Sequence, residues 1–411
     1  MGQVSLQVSG FTGAAGNVPV RVARAGEVLR LIRSGKATTT TQLAEVMSLA
    51  RSTVSERIDL LVRNGLLVPD GEVTLGRGRP PVRYAFNAQA GYVLAVQLGM
   101  SGARIALTDL TARVLTSRTV DVDLSLGPQR VFDTVIEELD DDLRAVGSTR
   151  EQLRGVGLGV PGRTELSSIR SRGEHQVRPW SDFDVAGHIK SALHVPVYVD
   201  QDVNLLALSE HRSSWPSTQV FVCVKVGTTI GCGIVLNDEV FRGGAGLSGE
   251  IAHTPVQGST HQCDCGNIGC LNATASGAAL VAQLRGQDGS SSLSTRDVAQ
   301  RAAAGDVAAI HAIRQAGRHV GEVLAGVVNL LNPEVLAVWG YLDDAGEYLL
   351  TGVREAIYSG ALPAASESLV ITRATLGNDA GVQGAATAVI EQIMKPAAID
   401  GWIHQAETLT Q

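Results

Sequence analysis

Four residues between positions 253 and 270 have the donor types and spacing of a metal site: His253, then Cys263, Cys265 and Cys270. The thiols lie in Cys263-Asp264-Cys265-Gly266-Asn267-Ile268-Gly269-Cys270, where glycines let a short loop turn tightly enough to aim several sulfurs at one point. Three sulfurs and one imidazole suit tetrahedral zinc. A closed shell of that kind leaves no position for a reactive water, so the expected ion, Zn2+, is structural and not catalytic. His261 is an alternative nitrogen donor that spacing does not exclude, and disulfides among the same thiols are the competing chemistry. Cys223 and Cys232 sit in apolar, strand-like runs and read as small buried hydrophobes.

A chain of 411 residues has room for two or three domains. Hydrophobic residues make up 44% and charged residues 18%. No uninterrupted apolar run approaches the roughly 20 residues of a membrane span. The opening Met1–Val20 lacks the basic start and apolar block of a secretory signal, so the expected location is the cytoplasm. Charge is uneven. Residues 1–90 hold eleven basic against six acidic side chains, a net +5, which leaves −12 for the remainder of a chain whose formal net charge is −7. A basic head on an acidic body suggests a nucleic-acid contact at the N-terminal end.

The head itself supports that suggestion. Val22, Val28, Leu29 and Ile32 fall near helical spacing within 21–34, and Gly35 is a plausible stop. Thr39 and Gln42 stand at capping-box spacing ahead of a short second helix that ends at Met47. After Ser48-Leu49-Ala50, a third helix from about Arg51 to Asn64 has Val54, Ile58, Leu61 and Val62 on its apolar stripe. Arg51, Ser52, Thr53, Ser55 and Arg57 are read as its outer face. Short polar side chains and arginines at a helix N-terminus can approach base edges in the major groove. Strand-like Leu66–Val68 and Val82–Phe86 flank Gly76-Arg77-Gly78-Arg79-Pro80-Pro81, a wing whose Arg77 and Arg79 could enter a narrow minor groove. The competing reading is a small dimerisation module with solvated arginines.

From Gly91 the pattern becomes α/β, with apolar strands, glycine-rich turns and amphipathic helices. Tyr92–Leu98 leads through Gly99-Met100-Ser101-Gly102 to a returning strand at Arg104–Thr108. Val220–Val226 turns through Gly227-Thr228-Thr229-Ile230-Gly231-Cys232-Gly233 and continues to Leu236. The same strand-turn-strand unit thus opens each half of the body, as expected of two lobes with a cleft between them. The order of the winged head, these hairpins, Asp200-Gln201-Asp202-Val203-Asn204, Gly249-Glu250-Ile251-Ala252-His253 and the cysteine loop resembles the ROK family of repressors and sugar kinases. Asn332-Pro333-Glu334 and Leu376-Gly377-Asn378-Asp379-Ala380-Gly381 match C-terminal segments of that family.

The resemblance implies an α/β chain made of an N-terminal winged helix-turn-helix and a two-lobed, actin-like sugar-kinase ATPase fold. The expected division is a flexible N-terminus over 1–19, a DNA-binding head over 20–87 and a smaller lobe over 88–200. A larger lobe with the zinc loop follows over 201–386, and a C-terminal helix from about 387 to 411 completes the smaller one. The family's zinc ligands correspond to His253, Cys263, Cys265 and Cys270. Asp202 corresponds to the catalytic aspartate, and Asp202, Glu250 and His253 to sugar contacts. Two contacts are changed, to Gln201 and Asn272.

Where the family's kinases have Asp-x-Gly-Gly-Thr-Lys, this chain has Gln97-Leu98-Gly99-Met100-Ser101-Gly102, and Thr229 and Cys232 replace glycines of the second turn. Magnesium and phosphate would lack partners there, so Asp202 is expected to be a vestigial base and the chain not an enzyme. The implied function is repression, through operator DNA, of carbohydrate-related genes by a homodimer or dimer of dimers. A sugar or sugar phosphate bound between the lobes at Gln201, Asp202, Glu250, His253 and Asn272 would be its effector. An active hexose kinase and a regulator governed by a protein partner are the alternatives.

Overall fold

A computed structural model of the chain describes residues 22–72, 82–100, 102–162, 180–288, 293–340, 342 and 347–409. The head is built from α1 (Ala25–Arg33), α2 (Thr40–Met47) and α3 (Arg51–Arg63), closed by an antiparallel pair, β1 (Leu67–Glu72) and β2 (Val82–Phe86). The expected capping box is present: the Thr39 hydroxyl accepts from Gln42 N, and the Gln42 amide oxygen accepts from Thr39 N. Ser48, in the left-handed region at φ 53°, turns the chain from α2 into α3. The tip of the expected wing, with Arg77 and Arg79, lies outside the described residues, as do residues 1–21 of the N-terminus.

The body contains one topology twice. In the smaller lobe, β3 (Tyr92–Gly99), β4 (Gly102–Asp109), β5 (Val114–Val120), β6 (Leu153–Val160) and β7 (Val197–Gln201) lie in the order β5-β4-β3-β6-β7. In the larger lobe, β8 (Val220–Val226), β9 (Ile230–Leu236), β10 (Glu239–Val240), β11 (Val335–Trp339) and β12 (Val370–Arg373) lie in the order β10-β9-β8-β11-β12. Each sheet begins with an antiparallel hairpin and extends through parallel strands. The hairpins pair Tyr92 with Asp109 through Gly99 with Gly102, and Val220 with Leu236 through Val226 with Ile230. Parallel strands are covered on both faces, which is why β6 and β8 are nearly continuous apolar runs.

Helix α4 (Pro128–Ala145) and α5 (Val185–Leu193) pack on the far side of the first sheet, around Phe132, Leu139, Ile105 and Ile189. Helices α6 (Asp202–Ser214), α7 (Leu271–Ala275), α8 (Gly277–Asp288), α9 (Thr295–Ala303), α10 (Val307–Leu331) and α11 (Tyr348–Gly360) belong to the larger lobe. Among the described residues no helix is long and apolar enough to cross a membrane.

The C-terminal segment differs from the single helix expected from about 387. It forms α12 (Ala380–Ile393) and α13 (Pro396–Leu409), because Pro396 has no N–H to continue the first helix and instead starts the second. Helix α12 lies between the lobes, on β6, β3 and α6. Helix α13 packs on α1 of the head. One buried cluster therefore runs from Leu29, Ile58 and Leu61 of the head through Ile399 and Ile403 to Ala385 and Leu205 between the lobes.

The junction has a polar lock. Helix α1 has no capping side chain of its own, and its N-cap residue Arg24 sits at φ 71°. The carboxylate of Asp400, on α13, fills that role by accepting from Arg24 N at 2.9 Å and Gly26 N at 2.7 Å. Gly26 permits the approach, since a Cβ there would lie 2.2 Å from the Pro396 carbonyl oxygen. Loss of this cap in Asp400→Ala is expected to cost about 1 to 2 kcal/mol, and Asp400→Asn less, measured by urea unfolding of the full chain.

Candidate DNA-reading face, ligand cleft and metal loop

The N-terminal turn of α3 presents Arg51, Ser52 and Ser55 to solvent, with Thr53 half-buried between them. Arg57 must be corrected. Its side chain is buried, its Nε donates to the Ala23 carbonyl at 2.9 Å and its Nη1 pairs with Glu56, so it braces α3 against the start of α1 and does not face DNA. Helical geometry explains the misreading: Arg57 follows Val54 by three positions and shares the inward stripe with Ile58 and Leu61.

The two hairpin turns converge on one cavity of about 560 Å3 between the lobes. Gln97, Met100 and Gly102 line it from the smaller lobe, and Gly227, Thr228 and Thr229 from the larger. Gln97 lies against Gly381 at the start of α12, where a Cβ would fall 2.1 Å from its Oε1. Arg104 reaches across to Asp379, which also accepts from the Ser117 hydroxyl. Asp202, at the start of α6, is not an open carboxylate: it pairs with the Lys225 ammonium.

A second recess, about 20 Å3, adjoins the cavity and is lined by Gln201, Asp202, Lys225 and Glu250 among others. Gln201 Nε2 approaches Glu250 Oε1 at 3.4 Å. The loop that carries Glu250 is held by Arg242, whose Nη2 and Nε meet Asp200 Oδ2 at 2.7 and 3.0 Å. Asp200 is buried and also accepts from Asn204 Nδ2, Gln201 N and the Tyr198 hydroxyl. Burial, reinforced by Asp200, pushes the Tyr198 phenol well above its ordinary range. At the other end of the loop Gly249, at φ 85°, runs so close to β9 that a Cβ would meet the Cys232 carbonyl at 1.8 Å.

His253 and Asn272, expected beside Gln201 and Glu250, line neither cavity among the described residues. Asn272 instead holds backbone: its Oδ1 accepts from Ile230 N at 2.9 Å, tying the helix after the last cysteine to the first residue of β9.

The metal loop assembles as its spacing suggests. Donor atoms of His253, Cys263, Cys265 and Cys270 all lie within 4.8 Å of one another, and exposed His261 is not among them. Cys265 and Cys270 sulfurs are 3.6 Å apart, and His253 Nδ1 is 3.7 Å from Cys263 Sγ. Tetrahedral bonds of about 2.3 Å to sulfur and about 2.0 Å to nitrogen imply S–S and S–N edges of about 3.8 and about 3.5 Å, so the donor set fits zinc. It does not fit disulfides, whose sulfurs would lie at about 2.05 Å. A hydrogen bond from the Asn267 backbone holds the Cys265 thiol at about 7, while burial pushes Cys270 up to about 12. Gly266 (φ 93°) and Gly269 (φ 79°) make the two reversals between the sulfurs. His253 Nε2 is buried with no hydrogen-bond partner among the described residues.

The sequence profile of the ROK family matches residues 93–392, both lobes together with α12. The chain belongs to the ROK family. Its head matches the IclR helix-turn-helix domain over residues 21–71, so this ROK protein has the form of a DNA-binding transcriptional regulator. It is 25% identical over 383 residues to a putative xylose repressor of Caldicellulosiruptor sp. (strain Rt8B.4), spanning 89% of this chain and 95% of that protein. It is 27% identical over 406 residues to the DNA-binding transcriptional dual regulator NagC of Escherichia coli K12, spanning 95% and 97%. In fold, the crystal structure of a ROK family transcriptional regulator described as a homolog of the E. coli MLC protein superposes with a TM-score of 0.73. That match covers 94% of this chain and 99% of the other at 24% identity.

Two residues of the cleft escaped sequence reasoning. Lys225 is the lone charge in the apolar strand Val220–Val226, and that interruption was the one local signal. Arg242 had none, because nothing local announces a partner 42 positions earlier. For the metal loop, one zinc per chain is expected by elemental analysis, with Cys265→Ser and His253→Ala each losing it. Arg57→Ala is expected to lower unfolding stability by about 1 to 3 kcal/mol through the orphaned Ala23 carbonyl and lost packing, with operator affinity unchanged once the protein is folded.

Proposed function

We propose that this ROK protein is a repressor of carbohydrate-related genes that binds operator DNA as a homodimer, or a dimer of dimers, in the cytoplasm. The observation that carries the reading is the exposed polar N-terminus of α3, in an IclR-type head, joined through α13 to a ROK body with a cleft. Arg51, Ser52, Thr53 and Ser55 would meet base edges in the major groove, while Arg77 and Arg79 of the wing would enter the adjacent minor groove. Paired half-sites follow from two-fold symmetry. The two relatives support the regulatory role, one being named a putative xylose repressor and the other a transcriptional regulator.

A sugar or sugar phosphate between the lobes would be the effector, because the cavity lies at the convergence of both hairpin turns and its occupancy would change how the lobes close. Glu250 and Gln201 supply hydroxyl partners, whereas His253, which lines neither cavity, serves the metal loop through its imidazole. Zinc on Nδ1 would fix the tautomer and aim of that ring, so the ion's role is structural. Phosphoryl transfer is not expected. A base must be free to take the hydroxyl proton, whereas Asp202 is paired with Lys225, and Gln97 offers no charge to magnesium.

Band-shift titration on the chain's own upstream DNA tests the proposal. A specific complex is expected whose affinity falls steeply with salt, and Arg51→Ala should weaken it at least tenfold while affecting random DNA less. Equal losses on both would reduce Arg51 to a phosphate contact. ATP consumption in the presence of hexoses, abolished by Asp202→Asn, would replace repression with catalysis as the body's role.

A further inference from the structure

The five cysteines fall into two classes. Cys223 and Cys232 are buried in the strands of the second hairpin, and burial pushes both thiols up, Cys232 to about 12, so neither is a thiolate at neutral pH. The other three converge in the metal loop, where Cys263 is 6% and Cys270 1% exposed, whereas Cys265 is only half-buried. Cys265 stands on a tight turn in which Cys263 N donates to the Asn267 carbonyl and Gly266 N to the Cys263 carbonyl, and the space beside Gly266 is open. Cys270, in contrast, is fixed. Leu271 N, next to it, donates to the Thr254 carbonyl at 2.9 Å, and its own Sγ lies 3.6 Å from the His253 carbonyl oxygen. An accessible sulfur on a turn that can yield thus faces, at 3.6 Å, a buried sulfur that cannot.

An exposed thiolate beside a second sulfur is the arrangement that oxidises in two steps. A peroxide meets the Cys265 thiolate: an S–O bond forms, the O–O bond breaks and hydroxide leaves. The Cys270 thiolate then attacks the same sulfur, an S–S bond forms, the S–O bond breaks and a second hydroxide leaves. Two protons from solvent turn both hydroxides into water, and the two electrons lost by the sulfur pair are those gained by one peroxide. Closing the sulfurs from 3.6 Å to about 2.05 Å is a movement the Cys265 turn can supply, with Gly266 (φ 93°) as its pivot. His253 and Cys263 are then left as two donors where tetrahedral zinc takes four. We propose that the metal loop is a peroxide-responsive clasp, in which oxidation joins Cys265 to Cys270, releases the ion and unfastens the turn that carries Glu250. The link to Glu250 is short. His253 N donates to the Glu250 carbonyl at 3.3 Å across the single turn Ile251–His253, so the metal donor and the residue of the recess move together. This inference rests on reading the loop as a zinc site.

The test uses the full-length protein, reduced and assayed for zinc by elemental analysis, then treated with hydrogen peroxide while a chromogenic chelator reports free metal and peptide mass mapping assigns the thiols. One ion released for each Cys265–Cys270 disulfide is expected, reversed by dithiothreitol with added zinc. A Cys223→Ala/Cys232→Ala variant should respond as the parent does. Cys265→His, which keeps four donors, should retain its ion at peroxide levels that empty the parent; should that variant bind none, the disulfide mapped in the parent decides. Hydrogen exchange over residues 249–254 should quicken on oxidation. Zinc held in a large excess of peroxide, release with any other cysteine pairing, or an over-oxidised Cys265 beside a still reduced Cys270 would each overturn the clasp, and unchanged exchange over 249–254 would overturn its link to Glu250. Absence of zinc before oxidation would overturn the metal reading itself, and the clasp with it.

Discussion

The body depends on a place where backbone meets backbone. Helix α12 is pressed between β6 and α6 so closely that a Cβ on Gly384 would lie 1.9 Å from the Leu205 carbonyl, and one on Gly157 would lie 2.0 Å from that of Ala385. At these two contacts no side chain separates the backbones, and one that tried would force the elements apart at the cost of overpacking. The glycines therefore set the separation of the two lobes. From that separation follow the distance between the two hairpin turns, the width of the cavity they enclose, and the position of Asp202 at the first turn of α6. Gly381, one turn ahead of Gly384, leaves room for the amide end of the Gln97 side chain. Gln97 is thus a packing residue against α12.

Much of this was legible in the sequence, and the parts that were not share one physical cause. Apolar periodicity placed α1 and α3 within a few residues, and α2 was readable from the Thr39 box because a cap is a local interaction between positions three apart. Both hairpins were legible for the same reason, since their glycine turns join neighbouring strands. The thiol loop was legible because its ligands are close in the chain and the rest of the fold has only to bring His253 to them. What stayed hidden depends on distant partners. Arg57 looks like its neighbours on the outer face until the Ala23 carbonyl is seen beneath it. Asp202 looks like a free base until Lys225 is set beside it by the β8 register. Asn272 reads as an altered ligand contact, yet its amide oxygen is engaged by the backbone of β9.

These corrections point the same way. Polar groups in and around the cleft are drawn into contacts with the protein: Asp202 with Lys225, Asn272 with Ile230, Arg104 with Asp379. A cleft that satisfies its own charges is suited to existing in two states, one in which the internal pairs close and one in which a ligand replaces them. Such an exchange needs little change in total bonding, which keeps the two states within the few kcal/mol over which a metabolite can act.

The cap that Asp400 places on α1 has a bearing on how such regulators can be taken apart. Helix α1 of the head is completed by a residue near the end of the chain, and Ile399 and Ile403 belong to the same buried cluster as the head's own core. Head and body are thus interleaved, and the boundary near residue 87 divides them in sequence but not in space. A chimera that joined this head to another body at that boundary would receive a helix with no cap and an uncovered apolar face. Transplanting its DNA specificity would require carrying two separate pieces, the first 87 residues and the final helix, so that the unit of inheritance for recognition is the pair of chain ends.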